Sequence, residues 1–324
     1  MSAAADIAAA GVMLDSPGVT VLDTREMPWT PYSDTISHMP YKNLAHDEEG
    51  DSIIRLMDIH PYDIGDRAKP AYHTAREQMF FLAGELTKWE CDPLELTVCR
   101  EGDWWDRLPG SVHIGGTPAA AVGATAILWM TAEEDPFVGV AESEGLIEKL
   151  AVEGARPVEV RSWPEPMAAL TPASAYRVDR PLMKLIDTRA LAWEPHPWLS
   201  GAQLKVLSRR GDGDPIVTMT WLPPGAYPAT TLPVRMAAAY REFSYVLSGQ
   251  LHAREYIGWP DAETPPAEVH LRAGCLLDRR AGAVHGFAAG EVSTGVTLLQ
   301  WRLRQGSRMV KDLDKYRHTV VVNG

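Results

Sequence analysis

The stretch Tyr72-His73-Thr74-Ala75-Arg76-Glu77-Gln78-Met79-Phe80-Phe81-Leu82-Ala83-Gly84 decides how this chain is read. It opens with an imidazole and a carboxylate, runs into an apolar and aromatic segment, and reaches Gly84-Glu85, where a turn is expected. Alternation along a strand predicts that Glu77, Met79 and Phe81 share one face. A second stretch, Gly102-Asp103-Trp104-Trp105-Asp106-Arg107-Leu108-Pro109-Gly110-Ser111-Val112-His113, brings another imidazole. Two imidazoles and a carboxylate on neighbouring strands can hold a divalent transition metal and leave positions open for substrate or oxygen.

Both stretches occur twice. Val21-Leu22-Asp23-Thr24-Arg25 is matched by Leu185-Ile186-Asp187-Thr188-Arg189. Glu77 to Gly84 is matched by Glu242-Phe243-Ser244-Tyr245-Val246-Leu247-Ser248-Gly249, Gly102 to His113 by Gly274 to His285, and Gly123 to Trp129 by Gly295 to Trp301. Four anchors in the same order indicate an internal duplication. The organisation expected is an N-terminal extension over 1–20, a first copy over 21–130, a connector over 131–184, a second copy over 185–305 and a tail over 306–324.

Within each copy strand signals dominate: Ser52 to Ile59, Gln78 to Leu82, Leu86 to Cys91, Leu94 to Arg100 and Val122 to Met130 in the first. The second has Pro215 to Leu222, Phe243 to Leu247, Leu251 to Tyr256, Val269 to Arg272 and Val296 to Leu303. Short strands at turn-rich spacing imply an all-β sandwich or barrel. In the connector, Val140 to Val152 reads as a helix, with acidic residues early and Lys149 late. In the tail, Thr319-Val320-Val321-Val322 reads as a strand suited to a sheet edge.

The chain has 324 residues and a net charge of −12, which argues against nucleic acid and anionic membrane surfaces as partners. No apolar run reaches the roughly 18 residues that a membrane helix needs. The start lacks the basic segment of a signal peptide, so a cytoplasmic protein is expected. Cys91, Cys99 and Cys275 fit neither a zinc ribbon nor a disulfide framework and read as core residues.

These motifs resemble the cupin family. Its first motif is Gly, five residues, His-x-His, three or four residues, Glu, six residues, Gly. Gly65, Ala71, His73, Glu77 and Gly84 follow that spacing, with Ala71 in the first His place. Its second motif, Gly, five residues, Pro-x-Gly, two residues, His, is followed by Gly102, Leu108, Gly110 and His113, with Leu108 in the Pro place. The resemblance covers both halves and is similar to bicupins, nearest to the branch with ChrR-like anti-sigma cupins and acetylacetone-dioxygenase-like proteins. It implies two tandem jelly-roll β-barrels with a short, partly helical connector. It also implies a metal in the first barrel, held by His73, Glu77 and His113 because Ala71 removes the third imidazole. One divalent transition metal per chain is expected, Fe2+ first, with Zn2+, Mn2+ or Ni2+ as alternatives.

The second copy keeps Glu242 and His285 but has Thr231 and Pro233 at the His-x-His places. It reads as a degenerate site with a leftover carboxylate–imidazole hydrogen bond. His252 is a minor candidate for a supplementary ligand. Around the first site, Met79, Phe81, Trp104 and His60 are candidate pocket residues, since one of Trp104 and Trp105 must face inward. Tyr72 is a candidate hydrogen-bond donor near the metal. Arg76, like Arg241, either meets a substrate carboxylate or forms a surface salt bridge. The enzyme expected is a dioxygenase cleaving a small diketone, aromatic ketone or carboxylic acid. A zinc-dependent isomerase, cyclase or lyase and a small-molecule sensor remain alternatives. A homodimer is expected.

Overall fold

The computed structural model describes residues 10–16, 18–31, 39–46, 52–61, 70–73, 76–90, 95–108, 111, 113–114, 123–132, 150–152, 175–180, 182–197, 199–209, 215–225, 236–237, 240–256, 267–281, 283–287, 292, 294–304, 308–309 and 317–322. Among them there is no α-helix and there are 24 strands. In chain order these begin β1 (Val12–Asp15), β2 (Val19–Asp23), β3 (Tyr41–His46), β4 (Ser52–Ile59), β5 (Pro70–His73), β6 (Arg76–Glu90), β7 (Glu95–Arg100) and β8 (Asp103–Arg107). They continue with β9 (His113–Ile114), β10 (Ala124–Ala132), β11 (Leu150–Val152), β12 (Tyr176–Arg180), β13 (Met183–Asp187), β14 (Glu194–Pro195), β15 (Gln203–Arg209) and β16 (Pro215–Leu222). The last are β17 (Met236–Ala237), β18 (Tyr240–Tyr256), β19 (Ala267–Arg272), β20 (Cys275–Arg279), β21 (Val284–Phe287), β22 (Val296–Arg304), β23 (Arg308–Met309) and β24 (Arg317–Val322).

The strands form two antiparallel systems, each with its own core. The 13-stranded one runs β11-β24-β5-β9-β6-β10-β4-β3, with β7 and β8 on β6, β13 on β8, β12 on β13 and β23 on β10. It belongs to a compact unit of residues 29–191 and 307–324. Its core gathers Met57, Ile59, Met79, Phe81, Leu86, Cys99, Trp105, Leu128, Met183 and Leu185. The 11-stranded system runs β1-β2-β20-β18-β22-β16-β15-β14, with β19 and β21 on β18 and β17 on β21. It belongs to a unit of residues 1–28 and 192–306. Its core gathers Val19, Val21, Leu222, Val246, Leu251, Val269, Leu277, Val296 and Leu298. Doubly layered β-structure of this kind is a jelly roll in each unit.

The repeated Asp-Thr-Arg motif explains itself here. Thr24 Oγ donates to the carbonyl of Gly274 at 2.6 Å, and Thr188 Oγ donates to that of Gly102 at 2.6 Å. Both glycines hold positive φ, which a side chain would strain. Arg25 closes on Asp23 with bonds of 2.8 and 2.6 Å and, with Arg272, holds that carboxyl far below the usual range. Each motif therefore pins its strand to the turn that opens the other repeat's second motif: Val21 pairs with Leu277, and Leu185 with Trp105.

Gly84 and Gly249 are not the turns expected from their sequence. β6 and β18 run straight through them. The alternation slips by one residue just before each glycine, at Leu82 and Leu247, as a β-bulge. Before the bulge β6 pairs with β8 and β10; after it the strand pairs with β7 and β9. Bulges are how a strand turns a corner from one layer to the next. Of the helix expected over Val140 to Val152, residues 140–149 lie outside the described residues, and Leu150–Val152 is a strand paired with Val320–Val322. The β-branched run Val320–Val322 offers these three residues a ladder. The tail strand forms as expected, on β5 and β11. Cys99 and Cys275 are buried free thiols, and Cys91 lies outside the described residues. Among the described residues no helix is long and apolar enough to cross a membrane.

Candidate metal centre and its counterpart

Glu77 enters the N-terminal barrel from the first part of β6 and is 5% exposed. Directly across the ladder stands Arg107 of β8, 1% exposed, whose Nη1 donates to Glu77 Oε2 at 3.2 Å. The Arg107 guanidinium lies 3.8 Å from the Trp105 ring, and Trp105 meets Phe81 edge-on at 5.3 Å. Met79 and Phe81 thus share the inner face with Glu77, as alternation requires. Trp104, expected to line the pocket, does not: the ladder sets Trp105 opposite Met79 and Trp104 opposite Phe80. Trp104 instead packs on Trp129 at 4.6 Å, on the other face of the sheet.

Arg76 lies on that other face too. It clasps Asp106 with bonds of 2.7 and 2.6 Å, and Gln78 donates to the same carboxylate at 2.9 Å. Trp129 Nε1 donates in turn to Gln78. The surface salt bridge expected for Arg76 is therefore a buried one, and its guanidinium stands across the sheet from Glu77. Arg241 repeats the arrangement on Asp278 at 2.8 and 2.5 Å. His60 is exposed and bonded to Asp58 at 3.1 Å.

His73 ends β5 and His113 opens β9. The side chains of His73, His113 and Tyr72 lie outside the described residues, but their strands are placed. Residue 113 stands opposite residue 71 on β5 and opposite residue 90 on β6. β9 therefore runs between the strand that carries His73 and the strand that carries Glu77. Among the described side chains no three His, Cys, Asp or Glu converge on one point. The donor set of two imidazoles and a buried carboxylate suits a divalent cation, and a charged hydrogen bond from Arg107 would fix the orientation of Glu77 as an outer partner.

The C-terminal barrel has the same frame and a different content. Arg279 donates to Glu242 at 3.0 Å and to Glu255 at 2.7 Å, all three buried. Burial works against the guanidinium charge, and Glu255 and Glu242 outweigh it, so Arg279 holds its proton more tightly than usual. Arg302 also approaches Glu242, at 3.5 Å. Glu242, expected to bond an imidazole, pairs with Arg279; the side chain of His285, its expected partner, lies outside the described residues. With Thr231 and Pro233 at the imidazole places and a guanidinium between its two carboxylates, this set does not fit a metal. His252 is buried and stacks on His270 at 4.0 Å, away from Glu242 along the strand.

Arg107, Arg279 and Glu255 escaped the sequence reading. Their signal was present: the match that aligns Glu77 with Glu242 also aligns Glu90 with Glu255, and the match of Gly102 with Gly274 aligns Asp106-Arg107 with Asp278-Arg279.

Two systems of antiparallel strands, one in each unit, give the chain a cupin-type jelly-roll fold. No family model and no curated protein matches the sequence. Among solved structures, Streptomyces albus 2-hydroxyethylphosphonate dioxygenase, with its substrate and Fe(II) bound, matches with a TM-score of 0.54 at 13% identity over 90% of this chain and 78% of that one. Protein Ylba of E. coli matches at 0.51 and 11%, over 94% and 98% of the two chains. A candidate dioxygenase of Nostoc punctiforme matches at 0.52 and 13%, over 95% and 87%. At these identities the likeness concerns the fold.

Proposed function

We propose that the N-terminal barrel is the metal centre of a bicupin enzyme that oxidatively cleaves a small oxygenated molecule, such as a diketone, an aromatic ketone or a carboxylic acid. One observation carries this reading: the strand bearing His113 runs between those bearing His73 and Glu77, and Glu77 is buried facing inward. The fold shared with an Fe(II) dioxygenase supports it.

His73, Glu77 and His113 would hold the ion, which supplies a Lewis acid with open positions for substrate. The chain's own groups do the rest. Arg107 orients the Glu77 carboxylate. Trp105, Phe81 and Met79 exclude water from the inner face, which strengthens every charge interaction there. Tyr72 is the proposed hydrogen-bond donor to substrate. Arg76, engaged by Asp106 across the sheet, positions β6 and β8 rather than the substrate.

Elemental analysis of protein purified without added metal tests the reading. We expect about one transition metal per chain, iron foremost, and its loss in His73→Ala and in His113→Ala. Zinc in place of iron would move the reaction to isomerisation, cyclisation or lyase chemistry. A His73→Ala protein with undiminished metal would overturn the assignment.

A further inference from the structure

Laying one repeat on the other separates what the barrels share from what one of them adds. They share the inward Glu–Arg pair, Glu77 with Arg107 and Glu242 with Arg279, and the Arg–Asp clasp on the opposite face. The N-terminal barrel adds two groups. Trp105 stands where the other repeat has Leu277, and Lys88 stands where it has Ala253. Leu277 and Ala253 are both core residues of the C-terminal barrel. The N-terminal barrel has therefore replaced two interior hydrocarbons with an indole N–H and an ammonium.

Lys88 reaches the interior because of the bulge at Leu82. The slip in alternation turns Leu86, and with it Lys88 two residues on, to the face that Glu77 and Met79 occupy before the bulge. The Lys88 ammonium lies 4.3 Å from the Trp105 ring, and the Arg107 guanidinium lies 3.8 Å from the same ring. Across the ladder from Lys88 is Thr97, a buried hydroxyl. Trp105 is wholly buried, and its Nε1–H has no acceptor among the described residues. A buried donor left unmatched is destabilising, and an incoming acceptor removes that penalty. Arg107 is engaged by Glu77, but the Lys88 ammonium, the indole N–H and the Thr97 hydroxyl can each donate, and together they suit an anion rich in acceptors.

We propose that Lys88 and Trp105, beside Arg107, bind the carboxylate of the substrate, so that the N-terminal barrel takes small organic acids in their ionised form. The role of this contact in turnover rests on the function proposed above; the binding itself does not. Lys88 is here a specificity-determining residue with no equivalent in the C-terminal barrel.

The test is calorimetric titration of the full chain, metal-loaded and chelator-treated, with pyruvate, oxalate and benzoylformate. Each acid that binds is compared with its neutral amide. We expect at least one acid to bind and its amide to bind about tenfold or more weakly. Lys88→Met should lose about tenfold or more in affinity for that acid, and Lys88→Arg should stay within about threefold of the parent. The metal content of Lys88→Met should equal that of the parent. Failure of every acid to bind, equal binding of acid and amide, or parental affinity in Lys88→Met would each overturn the proposal. If the parent holds no metal yet acids bind through Lys88, the metal reading fails and this one stands. If metal is bound and acids ignore Lys88, the reverse holds.

Discussion

Arg279 is the residue on which the C-terminal barrel's interior charge balance turns. It pairs with both Glu242 and Glu255, and all three groups are buried. Removing one member of a buried ionic set leaves the others uncompensated, at about 3–5 kcal/mol. Arg279→Met should therefore lose about that much stability in urea unfolding. Arg25→Ala, which removes a largely exposed guanidinium from Asp23, should lose about 1 kcal/mol or less. A near-neutral Arg279→Met would show that the two carboxylates find other partners. At this scale the sequence was only partly legible. Spacing singled out Glu77 and Glu242, and alternation placed Met79 and Phe81 beside Glu77. Nothing in a strand pattern reports depth, so Arg76 read as a surface residue although it is buried on Asp106. The pair Trp104-Trp105 offered no means of deciding which ring faces inward; that depended on the register of β8 against β6.

The long bent strands are the elements that shape both interiors. In β18 the corner falls at Gly249, with φ of 81°, and a Cβ there would overlap the carbonyl oxygen of Gly295. Gly225 also has positive φ, 64°, but a Cβ there meets open space. Gly225→Ala should then cost only the left-handed backbone penalty, about 1–2 kcal/mol. Gly249→Ala adds overlap with backbone that cannot swing away, and should cost about 1–3 kcal/mol more. Paired denaturation curves decide this; equal losses would mean that the corner yields. The sequence marked Gly84 and its counterpart Gly249 as turn residues, and the structure makes them part of bulged strands. A glycine between two apolar runs fits a hairpin and a bulge alike, because both ask for the same backbone angle. Only pairing partners distinguish them, and those lie far away in the chain.

At the scale of the molecule, each unit borrows a strand that lies nearer the other in sequence. β2 completes the sheet of residues 192–306, and β13 completes that of residues 29–191. Val21 and Leu185 are both buried there, at 0% and 1% exposure. A carboxylate at either position should cost about 3 kcal/mol or more. The damage should appear crosswise in hydrogen exchange. Val21→Asp should raise exchange in 267–304 and spare 76–130; Leu185→Asp should do the opposite. Damage confined to the sequence neighbours of each substitution would contradict the pairing. The duplication and the all-β class were plain from four repeated anchors. The exchange was not, because periodicity declares a strand without naming the edge it joins.

That borrowing sets the order of events during synthesis. Val19–Asp23 leaves the ribosome long before Cys275–Arg279, its partner, has been made. A pairing between segments so distant in sequence must await the late chain and closes a very large loop, the kind of contact that slows folding most. Until then the ribbon has only β1 beside it and its other edge stays open, which makes the nascent protein a natural client for chaperones.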